Sequence, residues 1–83
     1  MATTYVLRSL KDGKLYIGST KNLEKRISEH NAGKNRSTKS RIPFVIVYCE
    51  EFDTISEAMF RERQFKKSHS ILYRAAGWDD VHK

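Results

Sequence analysis

The sequence predicts a small α+β fold, and three features carry that expectation. Two β-rich runs, residues 3–9 and 14–19, flank Lys11-Asp12-Gly13, and Asp-Gly between such runs is a strong hairpin signal. Pro43 then opens Phe44-Val45-Ile46-Val47-Tyr48-Cys49, a β-branched and aromatic run. Further on, Thr54-Ile55-Ser56-Glu57 has the form of a capping box, in which a threonine and a glutamate satisfy each other's backbone donors at a helix start. The chain has 83 residues and shows no repeat, low-complexity tract or Pro/Gly-rich linker. That length suits one domain over residues 1–83 with a single modest core.

The first two strands are expected to be antiparallel, and their register decides what Tyr5 and Tyr16 can do together. Opposite residues in an antiparallel pair have a constant sum of numbers, so any odd sum places both tyrosines on one face. A two-residue turn at Asp12-Gly13 pairs Tyr5 with Thr20 and leaves the tyrosines about 13 Å apart. A four-residue loop over 10–13 pairs Tyr5 with Gly18 and Leu7 with Tyr16, bringing the two to roughly 7 Å at the backbone. The second register is preferred, because Gly18 then leaves space beside the Tyr5 ring.

The apolar period lengthens after Leu23, through Ile27 to Ala32, so a helix is expected over about 22–32. Thr20 or Asn22 can cap its start, and Gly33 can close its end. Residues 34–42 read as a loop. The run from Phe44 is apolar on both faces, which suits the most buried strand, and its Cys49 reads as a buried structural thiol. The capped helix should run to about Lys67, with Ile55, Ala58, Met59 and Phe65 as its inward stripe. A shorter helix over 70–76 and a Trp78 that covers the core complete the expectation.

A formal charge of +6 favours a polyanionic partner such as nucleic acid or an anionic membrane face. The longest apolar run, 43–49, is too short to cross a bilayer, and the N-terminus lacks a charged region followed by a long apolar stretch. A cytoplasmic, intracellular protein with no membrane partner is therefore expected. One cysteine excludes an internal disulfide and a zinc-binding cysteine pair.

Several polar residues fall where chemistry or structure must explain them. Glu62 lies three and four positions from Met59, Ala58 and Phe65, in the middle of the inward stripe. Either it pairs with Arg26 or another cation as a buried ion pair, or it anchors a metal. Arg26 and His30 are spaced i and i+4, so they share a face that borders Leu23 and Ile27. Lys34, Arg36, Lys39 and Arg41, interleaved with Ser37, Thr38 and Ser40, make a loop rich in donors with no acid, which suits phosphate oxygens. Lys66, Lys67 and His69 extend this basic surface.

The ordered set of Thr4-Tyr5-Val6, Tyr16-Ile17-Gly18, Arg26, His30-Asn31 and Glu62 resembles the GIY-YIG endonuclease superfamily, in its small single-domain branch. The resemblance runs from Tyr5 to about Trp78. It implies a three-stranded antiparallel or mixed sheet flanked by helices, and hydrolysis of DNA phosphodiesters with one divalent metal, Mg²⁺ or Mn²⁺. Carried over by position, Tyr5 and Tyr16 would be paired active-site phenols, one acting on the attacking water and the other on the phosphate. Arg26 would hold charge on the phosphoryl oxygens, His30 would assist proton transfer, and Glu62 would be the metal ligand. Departures are plain: Thr4-Tyr5-Val6 stands for Gly-Ile-Tyr, keeping the tyrosine and losing the glycine, Ser19 stands where excision-repair relatives carry a lysine, and Ser68-His69 falls where many small members have a tryptophan.

The expected function is thus a metal-dependent DNA endonuclease of low sequence specificity, in DNA repair or recombination. The alternatives are a non-catalytic nucleic-acid-binding module, or a nuclease subunit whose protein partner supplies DNA specificity.

Overall fold

A computed structural model of the chain describes residues 1–78; the last positions of the domain expected over 1–83 lie outside the described residues. Its elements are β1 (Ala2–Ser9), β2 (Leu15–Thr20), α1 (Leu23–Asn31), a 3-10 turn (Lys39–Arg41) within the segment read as loop, β3 (Phe44–Phe52), α2 (Ile55–Lys67) and α3 (His69–Ala76). The strands form one sheet in the order β2-β1-β3, antiparallel throughout.

The hairpin adopts the four-residue register, with Tyr5 opposite Gly18 and Leu7 opposite Tyr16. Ser9 builds the turn. Its buried Oγ accepts from the amides of Lys11 and Asp12 at 3.1 Å each and donates to the Arg41 carbonyl at 2.5 Å. Gly13 supplies the left-handed residue that the turn needs (φ 72°).

Helix ends follow local chemistry. Asn22 caps α1 by accepting from the Lys25 amide, and Thr54 with Glu57 forms the complete capping box of α2. Gly33 (φ 77°) ends α1: its amide bonds the His30 carbonyl at 3.1 Å, and the Lys34 amide bonds the Glu29 carbonyl at 3.0 Å. The same motif at Gly77 closes α3 and folds Trp78 back onto Tyr73 and Tyr48, with ring centroids 6.0 and 6.3 Å apart.

Alternation along β1 divides the core between the two faces of the sheet. Tyr5 and Leu7 pack with Tyr16, Phe44, Leu23 and Ile27 beneath α1. Val6 and Ile17 pack with Phe65 and Leu72 beneath α2 and α3.

The most buried strand is β1, not β3. The central position gives β1 hydrogen-bonded neighbours on both sides, whereas β3 is an edge strand with Val45 and Ile46 exposed. The apolar character of β3 on both faces has another cause. Its register against β1 shifts between Val6 and Leu7, because Val6 faces Tyr48 while Leu7 faces Ile46, so Val47 is bulged. Phe44 therefore joins the α1-side cluster, and Tyr48 joins the α2-side cluster. Cys49 is exposed on this edge, which corrects its reading as a buried thiol. Met59 is also half-exposed, so only Ala58 and Phe65 of the expected α2 stripe are fully buried. Among the described residues, no helix is long and apolar enough to cross a membrane.

Candidate active site

His30 is the one buried residue of α1, and Leu23 and Ile27 beside it are only partly covered. A helix whose deepest side chain is an imidazole is positioned for something other than apolar packing. The ring is held from both ends: Nδ1 lies 2.9 Å from the Thr38 Oγ1, and Nε2 lies 3.2 Å from the Tyr5 hydroxyl. Thr38 Oγ1 also donates to the Asn35 carbonyl at 3.4 Å, which leaves it an acceptor toward Nδ1–H. Nε2 is then the lone-pair nitrogen and accepts from the Tyr5 phenol.

The two tyrosines and His30 form one aromatic cluster. Ring centroids are 6.4 Å apart for Tyr5 and Tyr16, 6.1 Å for Tyr5 and His30, and 4.9 Å for Tyr16 and His30, while Phe44 closes the cluster 5.9 Å from His30. Gly18 makes room for this packing. A Cβ there would overlap the Tyr5 hydroxyl and lie 2.6 Å from its Cζ, so a side chain at position 18 displaces the phenol.

Burial sets the protonation states. It raises the Tyr5 phenol well above its ordinary value; Tyr16 and Glu62 act in the same direction and Arg26 opposes them. His30 is lowered, first by burial and then by the Arg26 guanidinium, against a smaller opposing effect of Glu29. At neutral pH the pair is thus a neutral phenol donating to a neutral imidazole. Tyr16, Arg26 and Glu62 all act electrostatically on the Tyr5 hydroxyl, although they come from β2, α1 and α2.

Glu62 approaches from the other side of the sheet. Its Oε1 accepts from the Ser19 hydroxyl at 2.5 Å, and its Oε2 pairs with Lys66 at 2.6 Å. The ion-pair partner is thus Lys66, one helical turn on, and not Arg26. The Glu62 side chain keeps 20% exposure and that of Lys66 keeps 53%, so Lys66 can leave at small cost. A lone carboxylate that is part-open to water fits a magnesium ion, which retains most of its shell as water and substrate oxygens. Among the described residues there is no cluster of three or more His, Cys, Asp or Glu side chains that would make a closed protein cage.

Arg26 sits where two clefts meet. One, about 530 Å³, runs along Ser19, Lys21, Lys25 and Met59; the other, about 380 Å³, is lined by His30, Lys34, Asn35 and Arg36. Lys34 and Arg36, which line the second cleft, are exposed, and so is Lys39, whose side chain passes beside Gly33. Arg41 is engaged within the fold, bonding Asp12 at 3.0 Å and the Leu15 carbonyl at 3.3 Å and lying over the Phe44 ring at 5.5 Å. Lys67 lies on the outward side of α2 near Phe60 and Ile71, and the His69 ring lies tilted against Tyr73 with centroids 6.1 Å apart.

Three residues take parts that their sequence context does not show. Thr38, one of three hydroxyls in the basic loop, is buried and orients His30. Ser19 orients Glu62. Asn31 clamps the end of α1 to the start of β3, accepting from the Phe44 amide at 2.7 Å and donating to its carbonyl at 3.2 Å. The only sequence signal was adjacency, since Asn31 follows His30.

A sequence model of the GIY-YIG catalytic domain matches residues 1–74. The chain is similar to the UPF0213 protein SH2523 of Staphylococcus haemolyticus, with 52% identity over 68 residues that cover 80% of this chain and 83% of that protein. It is also similar to a UPF0213 protein of Natronomonas pharaonis, at 46% identity over 75% of this chain and 73% of the relative. Among solved structures, the solution NMR structure of the UPF0213 protein BH0048 from Bacillus halodurans aligns with a TM-score of 0.55 and 32% identity, covering 93% of this chain and 84% of that one. The chain belongs to the GIY-YIG nuclease family, among relatives of the UPF0213 group.

Proposed function

We propose that this chain is a metal-dependent endonuclease that hydrolyses DNA phosphodiesters with low sequence specificity, as a single domain serving DNA repair or recombination. The observation that carries the reading is the Tyr5–His30 hydrogen bond, buried yet within the electrostatic reach of Arg26 and Glu62.

A raised phenol pKa argues against a free Tyr5 phenolate as the base. The hydrogen bond offers another route: the Tyr5 oxygen takes a proton from the attacking water while its own proton passes to His30 Nε2. No phenolate accumulates, and the charge appears on His30, whose Nδ1–H is held by Thr38. Tyr16, against the same imidazole, is left to donate to a phosphoryl oxygen. Arg26 supplies charge to the phosphate at the junction of the two clefts. Glu62, oriented by Ser19, would hold a Mg²⁺ or Mn²⁺ ion, which would supply positive charge to the leaving oxygen. Lys34, Arg36 and Lys39 line the path of the DNA backbone beyond the His30 cleft, reading charge and not sequence.

The test is cleavage of a panel of labelled linear, nicked and branched DNAs by the purified protein, with and without Mg²⁺ or Mn²⁺. Cation-dependent cleavage of at least one substrate class is expected, with sequence context of little effect. DNA binding without cleavage under any of these conditions would favour a non-catalytic module.

A further inference from the structure

The two clefts that meet at Arg26 differ in chemistry. The smaller is lined by Arg26, Glu29, His30, Lys34, Asn35 and Arg36, with no apolar side chain among the described residues. The larger spans the end of β2 between α1 and α2, and its two walls are unlike. Toward α1 it presents the cations Lys21, Lys25 and Arg26 against one acid, Glu29. Toward α2 it presents Ile55 and Met59. Met59 is 49% exposed, a large apolar side chain held open to water opposite three cations.

Met59 also lies on the stripe of α2 that leads to the candidate metal ligand. Ile55, Met59 and Glu62 are spaced by four and three residues, so they follow one another along one side of the helix. Met59 and Glu62 are thus separated by about 4.5 Å of helix rise. Ser19, which donates to Glu62, lines the same cleft. A phosphodiester held between Arg26 and Glu62 sits at the end of this cleft, and the nucleoside that carries the leaving oxygen, on the Glu62 side, extends along Met59. The lysines of one wall suit backbone phosphates, and the thioether of the other suits the face of a base. A base paired in a duplex lies inside the stack, out of reach of a cleft that grips its phosphate, whereas an unstacked base can enter.

Resting on the endonuclease reading above, we propose that the larger cleft is a nucleotide subsite: Met59 and Ile55 take the unstacked base of the nucleoside that carries the leaving oxygen, while Lys21 and Lys25 hold the adjoining phosphates. The substrate class is then DNA with an unpaired nucleotide at the cut. Contact with the face of a base tolerates every base, so the subsite selects DNA structure and not sequence.

Binding measured without divalent metal tests the subsite apart from hydrolysis. The probes are two single strands of equal length and charge, an oligothymidylate and its abasic counterpart, titrated with the full chain. The oligothymidylate is expected to bind roughly three- to tenfold more tightly. Met59→Gln, a change of similar length at a half-exposed position, should keep the fold by circular dichroism and bring that ratio close to one, with affinity for the abasic strand unchanged. Lys21→Ala with Lys25→Ala should weaken both strands alike. In the metal-containing cleavage assay, a duplex with one unpaired thymidine should be cut mainly at the bond whose leaving oxygen belongs to that thymidine. Equal affinity for the two strands, a preference that survives Met59→Gln in the folded protein, or cleavage indifferent to the unpaired thymidine would overturn the proposal. A chain that distinguishes the strands through Met59 yet cleaves no DNA would support the base contact and contradict the endonuclease reading.

Discussion

The two faces of the sheet bury side chains equally well and for different ends. Beneath α2 and α3, Val6, Ile17, Phe65 and Leu72 meet through shape alone, and any well-packed apolar set of similar volume would serve. Beneath α1, Tyr5 and His30 are as deeply buried, yet each polar atom has a named partner, and Arg26 biases both protonation states. Buried polar groups cost stability unless satisfied, so a satisfied network at the centre of a small fold marks where chemistry is retained. On the function proposed above, the difference teaches that packing beneath α2 and α3 serves mainly stability, while the α1 side, joined by Glu62 from across the sheet, serves reactivity.

Substitutions on the two faces should therefore separate, and the largest effects are the sharpest. Phe65→Ala is expected to lose about 3–5 kcal/mol in chemical denaturation, enough to unfold much of a small domain, while the molecules that remain folded cleave at the normal rate. Tyr5→Phe should do the reverse: cleavage falls by about 10²–10⁴-fold, and the unfolding midpoint moves by no more than about 1 kcal/mol. If Tyr5→Phe behaved as a stability variant with normal turnover, the division between faces would fail.

Thr38→Val should act on both quantities to a smaller degree. It leaves the His30 Nδ1–H buried without its acceptor, at about 1–3 kcal/mol. The pH dependence gives a second readout. His30 lies below its ordinary 6.5, so wild-type activity should persist below that pH and decline as the imidazole gains its proton. Stability follows the same sign. The unfolded chain takes up this proton near 6.5 while the native state resists it, so stability present above that pH is lost as pH falls toward the lowered folded value. Without the Thr38 hydroxyl the imidazolium loses a partner, and the acid limb of the rate profile should move lower still.

The smallest effect expected is the most selective. Replacing Lys34, Arg36 and Lys39 with alanine should leave stability and the bound-state cleavage rate unchanged, while each lost phosphate contact lowers the slope of log K against log[salt] by about 0.9 on duplex DNA. An unchanged slope would place the DNA path elsewhere, along the Lys21 and Lys25 cleft.

Sequence reading went furthest where a residue's requirement is local. The hairpin register was legible because only Gly18 tolerates a tyrosine ring above it, and the α2 start because a capping box is complete within four residues. Gly33 marked the end of α1 for the same reason. Reading failed where the answer depends on distant partners. The apolar run of β3 resembles a central strand, but strand order is set by pairing across the chain, and a one-residue bulge hides the switch of faces between Phe44 and Tyr48. The five candidate site residues were visible as an ordered set, whereas Thr38 and Ser19 were not. Nothing distinguishes Thr38 from Ser37 or Ser40 until His30 is seen beneath it, and Ser19 meets Glu62 only through the packing of α2 on β2.

The central claim, that the α1 side of the sheet together with Glu62 is a cation-assisted hydrolytic site, is tested most directly by the Mg²⁺-dependent cleavage rate of Glu62→Gln measured beside its thermal unfolding. Glutamine still accepts from Ser19 and gives up only the exposed pair with Lys66, worth about 0.3–0.5 kcal/mol, so the midpoint should barely move. Loss of cleavage with an unchanged midpoint and retained DNA binding is the expected result. Cleavage at the wild-type rate, or a loss of activity that merely follows unfolding, would contradict the account.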